Sequence, residues 1–293
     1  MVSSTHSPTI DTVAVIGAGT MGHGIAQVSA TAGYLTRLFD VRPRAAEEGG
    51  VQITKNLEKG VARGKITAEQ AAATRACLSI HSDLRQAVEG TQLVIEAVPE
   101  NLDLKRNLFA NIAGLVASDT ILGTNTSSLS IARIAEAVPG PERVIGLHFF
   151  NPVHIMKLIE IVVPSNTSQH IVERAKAYAQ RIGKECITVR DSPGFATSRL
   201  GLVIGLEAIR MVEQGVASPE DIDKAMTLGY GFPMGPLRLT DLVGLDVRLH
   251  IAEYLSEQLD HGEHFQPPEL LRQMVAAGKL GKKSGVGFYH WER

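Results

Sequence analysis

The chain has 293 residues, of which 44% are hydrophobic and 20% charged, and its formal charge is −2. That length suits about two domains; the near-neutral charge with scattered basic residues excludes a strong pull toward nucleic acid or anionic membrane, and no run of about 18 apolar residues offers a membrane span. The two cysteines, Cys77 and Cys186, lie far apart without metal-ligand spacing, so they read as reduced thiols of a cytoplasmic protein, and no metal site is expected.

The first ten residues are rich in Ser and Thr and lack the apolar core of a secretory signal, so a short frayed start is expected. "TVAVIG", residues 12–17, is a β-branched apolar run of the kind buried on both faces of a sheet. "TMGHGIAQVSATAG" follows as a helix ending at Gly33, and "YLTRLFD" as a strand ending in Asp40. Pro43 suits the first turn of a helix, and the pattern from Arg44 to about Arg63 is long, polar and helical. "LVIEAVPE", "DTILGTNTS" and "RVIGLHFF" are further buried strands, so the first part alternates strands with helices and reads as α/β with a mostly parallel sheet. After "DSPGF" the texture changes, and no strand run is evident until the last few residues. "SRLGLVIGLEAIRMVEQG" is a long helix closed by Gly215, and "SPEDIDKAMTLG" opens with Ser218 as N-cap and Pro219 at the first position. "PLRLTDLVGLDVRLHIAEYLSEQL" is one more helical stretch. The boundary falls near Asp191, with an α/β domain over 1–191 and a smaller all-helical one over 192–293.

"VIGAGTMGHG" holds Gly17, Gly19 and Gly22 in the G-x-G-x-x-G spacing between a strand and a helix, with Thr20 and Met21 in the same loop. Gly17 permits the tight turn, Gly19 lets the backbone approach a pyrophosphate, and Gly22 lets helix and strand pack closely. Phosphates then sit on the helix N-terminus. Asp40, ending the next strand, would accept from the adenosine ribose hydroxyls and repel a 2′-phosphate, which favours NAD over NADP. Arg42 and Arg44 follow closely and pull the other way.

Ligands of an open α/β sheet bind beyond the carboxyl ends of its strands. Glu100, Asn125, Ser127, His148 and Asn151 all fall at such ends. Ser127 is either a substrate donor or a helix N-cap, or both. "GLHFF" and "IMKLIEIVV" flank a Pro-containing turn. Paired as a hairpin, they set His148 about opposite Glu160, roughly 4.5–5.5 Å apart at Cβ. A carboxylate in so apolar a run needs a partner. His148 supplies one, in the arrangement of a general base with an orienting acid. His154 sits at the turn and is expected to be exposed. The helical part's "GLVIGLEAI" is apolar all round and is buried either in its own core or at a subunit interface.

"GAGTMGHGIAQ", "EAVPENLDLKRNLF", "NTSSLSI", "HFFNPVHIMKLIE", "DSPGF", "GPLRLTDLVGLD" and "GKKSGVGFY" occur in order. With them the chain resembles the short-chain L-3-hydroxyacyl-CoA dehydrogenases, above all the bacterial 3-hydroxybutyryl-CoA dehydrogenases, over nearly its whole length. The resemblance implies a Rossmann-type doubly wound N-terminal domain, a helical substrate and dimerisation domain, and a homodimer. It implies NAD-dependent oxidation of an L-3-hydroxyacyl-CoA to the 3-ketoacyl-CoA, or the reverse. By motif position His148 is the base, Glu160 its partner, and Ser127 and Asn151 stand near the substrate carbonyl and nicotinamide. Glu100, Lys105 and Lys283 match cofactor contacts, and Lys59 and Arg63 match the region that holds coenzyme A. One departure stands out: "PGFATSR" has Ser198 where the family usually has an asparagine near the catalytic histidine. A serine hydroxyl there can still donate to substrate, directly or through a water. Two other functions share parts of this pattern: a dehydrogenase of a free hydroxy or sugar acid, gulonate-like, and a non-catalytic NAD-binding structural protein.

Overall fold

The computed structural model describes residues 10–292. The frayed start expected over the first ten residues lies, Ile10 apart, outside them. The chain divides into two compact units after Asp191.

The first unit is built on one eight-stranded sheet in the order β3-β2-β1-β4-β5-β6-β7-β8. The strands are β1 (Thr12–Ile16), β2 (Leu35–Phe39), β3 (Leu78–His81), β4 (Leu93–Glu96), β5 (Ile121–Thr124), β6 (Val144–Phe149), β7 (Leu158–Val163) and β8 (Glu185–Arg190). β1 to β6 run parallel in the doubly wound nucleotide-binding order. β7 returns antiparallel to β6, and β8 runs parallel to β7. The interleaved helices are α1 (Thr20–Thr31), α2 (Ala45–Ala62), α3 (Ala68–Ala76), α4 (Leu84–Val88), α5 (Leu102–Ala113), α6 (Ile131–Ala135) and α7 (Gln169–Arg181).

Burial explains which strands announce themselves in sequence. Every residue of β1, β4, β5 and β6 is buried, so each is an unbroken run of apolar and small side chains with an occasional buried polar one. The edge strands β3 and β8 are mostly half-buried or exposed, and the sequence reading named neither as a strand. Ile25, Ile53, Leu57 and Tyr178 of the helices close over Val13, Val15, Leu147 and Ile161 of the sheet. Two helix starts differ from expectation. Arg44 is the N-cap of α2, at φ 65°, so Pro43 stands in the turn before the helix and outside its first turn. Ser130, whose hydroxyl accepts from the Arg133 N–H, caps α6, so Ser127 is not a cap.

The second unit holds α8 (Thr197–Glu213), α9 (Pro219–Lys224), α10 (Pro236–Val243), α11 (Leu245–Gln258) and α12 (Glu269–Ala276). Ser218 caps α9 and Pro219 occupies its first position. The helical stretch from Pro236 is broken at Gly244, whose φ of 104° no ordinary L-residue adopts comfortably. Leu202, Leu206 and Ile209 of α8 enter this unit's own core, while Leu200 is exposed. The buried Asp241 carboxylate pins the closing segment by accepting from the Phe288 and Tyr289 N–H groups and the Trp291 indole. Among the described residues no helix is long and apolar enough to cross a membrane.

Candidate active site

The loop between β1 and α1 is shaped by its glycines. Gly17 has φ 99°, and a Cβ there would come 2.6 Å from the Ala97 carbonyl oxygen. A Cβ on Gly22 would overlap the Gly17 carbonyl. Gly19 is different: a Cβ there meets nothing within 4 Å, so its side of the loop is open for a ligand. No side chain caps α1 and no acid lies in its first turn, so its leading N–H groups favour an anion. Thr20 is exposed at this end, while Met21 packs partly on the core.

Asp40, at the end of β2, accepts from the Ala18 N–H at 2.8 Å and from the Arg42 N–H at 2.9 Å. The Arg42 guanidinium adds contacts of 3.2 Å to both carboxylate oxygens. Partial burial alone would raise this carboxyl; the Arg42 side chain and the two backbone donors outweigh it and hold Asp40 below its ordinary value. Arg42 is therefore engaged by Asp40 in this structure.

The carboxyl ends of β4 and β5 carry a chain of polar contacts. Glu96 is fully buried; it accepts from the Lys105 ammonium and the Thr124 hydroxyl, each at 2.6 Å, and from the Val98 N–H at 2.7 Å. Lys105 is also 3.4 Å from Glu100, which accepts from the Thr126 hydroxyl at 2.5 Å and the Ser127 N–H at 3.0 Å. Lys105, which the family resemblance matches to a cofactor contact, is held between Glu96 and Glu100 with its side chain 1% exposed. Asn125 accepts from the Phe149 N–H at 2.9 Å, which ties the end of β5 to the end of β6.

The hairpin of β6 and β7 pairs His148 directly with Glu160. The Nδ1–H of His148 donates to Glu160 Oε2 at 2.6 Å, with side chains 8% and 0% exposed. With the carboxylate accepting, that bond sets the tautomer, the ring proton lying on Nδ1. The His148 ring packs against Phe150, with centroids 4.5 Å apart. Asn151 and His154 are exposed in the turn that follows. Partial burial, then the nearby His23 and Lys184, push the His154 imidazole below its ordinary value. Lys184, 8% exposed, donates to the carbonyls of Val153 at 2.7 Å and Met156 at 2.6 Å. Burial lowers its ammonium.

Lys59 and Arg63 are exposed at the end of α2. In the helical unit Lys283 bonds Asp246 at 2.6 Å, and Ser198 lies in the first turn of α8. Glu96, Thr126 and Lys184 were missed by the sequence reading. The only available signal was a charged or polar residue in or beside an otherwise apolar strand. Among the described residues no group of three or more His, Cys, Asp or Glu side chains is placed to hold a metal.

A nucleotide loop with an ionised acid at the next strand, and a histidine locked to a buried carboxylate, belong to a class of protein: the NAD-dependent oxidoreductases. Comparison with known proteins narrows the class. Residues 12–192 match the NAD binding domain of 3-hydroxyacyl-CoA dehydrogenase and residues 194–291 match its C-terminal domain. The chain belongs to the 3-hydroxyacyl-CoA dehydrogenase family. It is 43% identical to a 3-hydroxybutyryl-CoA dehydrogenase of Mycobacterium tuberculosis, over 97% of this chain and 99% of that one. It is 42% identical to the mitochondrial hydroxyacyl-coenzyme A dehydrogenase of Mus musculus, over 96% and 91%. The crystal structure of the (S)-3-hydroxybutyryl-CoA dehydrogenase PaaH1 from Ralstonia eutropha superposes with a TM-score of 0.94 at 38% identity, covering 97% of this chain and all of that one.

Proposed function

We propose that the protein interconverts an L-3-hydroxyacyl-CoA and its 3-ketoacyl-CoA, with 3-hydroxybutyryl-CoA as the substrate suggested by its relatives' names. The observation that carries the mechanism is the 2.6 Å bond between His148 and Glu160 at the carboxyl edge of a dinucleotide-binding sheet. His148 Nε2 takes the proton of the 3-hydroxyl as the C3–H bond breaks, and returns it in the reverse direction. Glu160 stabilises the imidazolium formed. When bound, NAD supplies the acceptor for the hydride from C3. Gly17, Gly19 and Gly22 fit a pyrophosphate, and Asp40 fits the ribose hydroxyls. Ser127 and Asn151 orient the substrate oxygen, and Glu100, Lys105 and Asn125 serve the bound cofactor. Lys59 and Arg63 contact coenzyme A phosphates, Ser198 the acyl chain and Lys283 the cofactor. The working form is a cytoplasmic homodimer, checked by sedimentation.

A general base of this kind contributes about 10²–10⁴-fold. His148→Gln is expected to lower turnover of acetoacetyl-CoA with NADH by that factor while NADH affinity is kept. Retention of most activity removes His148 from the role. Faster turnover of gulonate than of any acyl-CoA would replace the substrate class.

A further inference from the structure

Arg248 of α11 is 7% exposed. Its guanidinium has no hydrogen bond or ion pair among the described residues, and its Nε is fully enclosed. Burial alone draws it down to about 10, with no acid opposing that fall. Beside it the buried Thr240 hydroxyl of α10 also lacks a partner. Two glycines of α8 bring the helix backbone against this pair. A Cβ on Gly205 would lie 3.2 Å from Thr240 Oγ1 and 3.9 Å from Arg248 Cζ, and one on Gly201 would lie 3.8 Å from Arg248 Nη1. Buried charges are ordinarily paired, because removing one from water without compensation is costly. Here one guanidinium and one hydroxyl converge with donors only to offer the approaching group from their charged member, and no carboxylate answers them.

We propose that Arg248 and Thr240 form a receiving site for a carboxylate. The planar fork of a guanidinium matches a carboxylate in two parallel bonds, and the hydroxyl adds a third donor. Ser198 stands three and seven residues before Gly201 and Gly205, so all of them share one face of α8. Resting on the function proposed above, where Ser198 contacts the acyl chain, the carboxylate is the far end of a dicarboxylic acyl chain. A free dicarboxylate is the other source of the same chemistry.

Two arms separate the sources. The first compares kcat/KM for the 3-keto derivative of adipyl-CoA with that of hexanoyl-CoA, which matches it in length but ends in a methyl group. Wild type is expected to favour the carboxylate-ended substrate by about tenfold or more, and Arg248→Met to bring the ratio toward one. The second titrates glutarate into the full-length protein by calorimetry; heat from wild type that Arg248→Met abolishes assigns the site to a free carboxylate. If Arg248→Met fails to fold, Arg248→Lys, which keeps the charge and loses the fork, is expected to diminish whichever response wild type gives. No preference and no glutarate binding overturns the proposal, as does a variant that matches wild type in both arms. A variant that instead weakens self-association, with no carboxylate response in wild type, overturns it in favour of a second copy of the chain. Failure of wild type to reduce acetoacetyl-CoA would refute the function proposed above, while the glutarate arm still decides the site.

Discussion

Glu160→Gln is the most direct trial of the buried pair. Glutamine has the same shape, so the strand pairing of β6 with β7 should persist. What is lost is one hydrogen bond to a charged group, 2.6 Å long and out of water on both sides. Such bonds contribute about 1.5–3 kcal/mol, and in the proposed mechanism the ring gains its charge as the proton moves. At about 1.4 kcal/mol per factor of ten, kcat should fall roughly ten- to a hundred-fold. The loss grows if the new amide turns its N–H toward Nδ1, because the ring then carries its proton on Nε2 and cannot accept another there. The assay is single-turnover reduction of acetoacetyl-CoA by bound NADH, with NADH affinity and a thermal melt measured alongside. A folded variant with kcat within about twofold of wild type would refute an orienting and stabilising role for Glu160.

Other perturbations probe the parts around the pair. Gly19→Ala should fold as wild type, because its Cβ enters open space, yet lose NADH affinity; Gly22→Ala should be strongly destabilised by overlap with the Gly17 carbonyl, and equal melting temperatures for the two would contradict the loop geometry. Asp40→Asn should raise the KM for NADH more than that for NADPH. Because the folded protein holds Asp40 below the ordinary 3.8, its contribution to stability is complete above that value and is lost as pH falls through the lowered one. NADH affinity in wild type should therefore show no Asp40 titration between about pH 5 and 8; a step in that range, absent from the variant, would count against the assignment. Glu96→Gln leaves Lys105 buried without its main counter-charge and should cost about 3–5 kcal/mol in urea unfolding; the double variant with Lys105→Met should recover part of it, and a Glu96→Gln protein as stable as wild type would show that the pair does not hold the end of β4.

What could be read from sequence followed burial. The central strands are continuous apolar runs because both faces are covered, and the His148–Glu160 register follows from counting outward from one turn. The edge strands β3 and β8 lack that signature, since half-exposed positions accept polar residues. The break at Gly244 hides inside a helical apolar pattern that continues on both sides of it. The ion pair of Lys105 is hidden for a related reason: its position places it beside the strand end, but only three dimensions reveal Glu96 behind it, nine residues earlier. Lys184 is further from legible still, because its partners are backbone carbonyls, which carry no sequence signal.

The return of the chain from β6 to β7 has a consequence for timing. His148 and Glu160 sit on neighbouring strands inside the sheet, so their mutual orientation is set once, when the hairpin joins the sheet during folding. In the roles proposed for them, no search over rotamers of two mobile loops would precede each turnover, and the entropy of aligning them would be no part of the chemical barrier. Amide hydrogens of Leu147–Phe149 and Ile159–Ile161 should then exchange only on the slow clock of the sheet core, while those of the exposed turn between them exchange quickly. One continuous hairpin would thus carry a fixed proton acceptor and, a few residues further on, a turn able to yield to the arriving substrate.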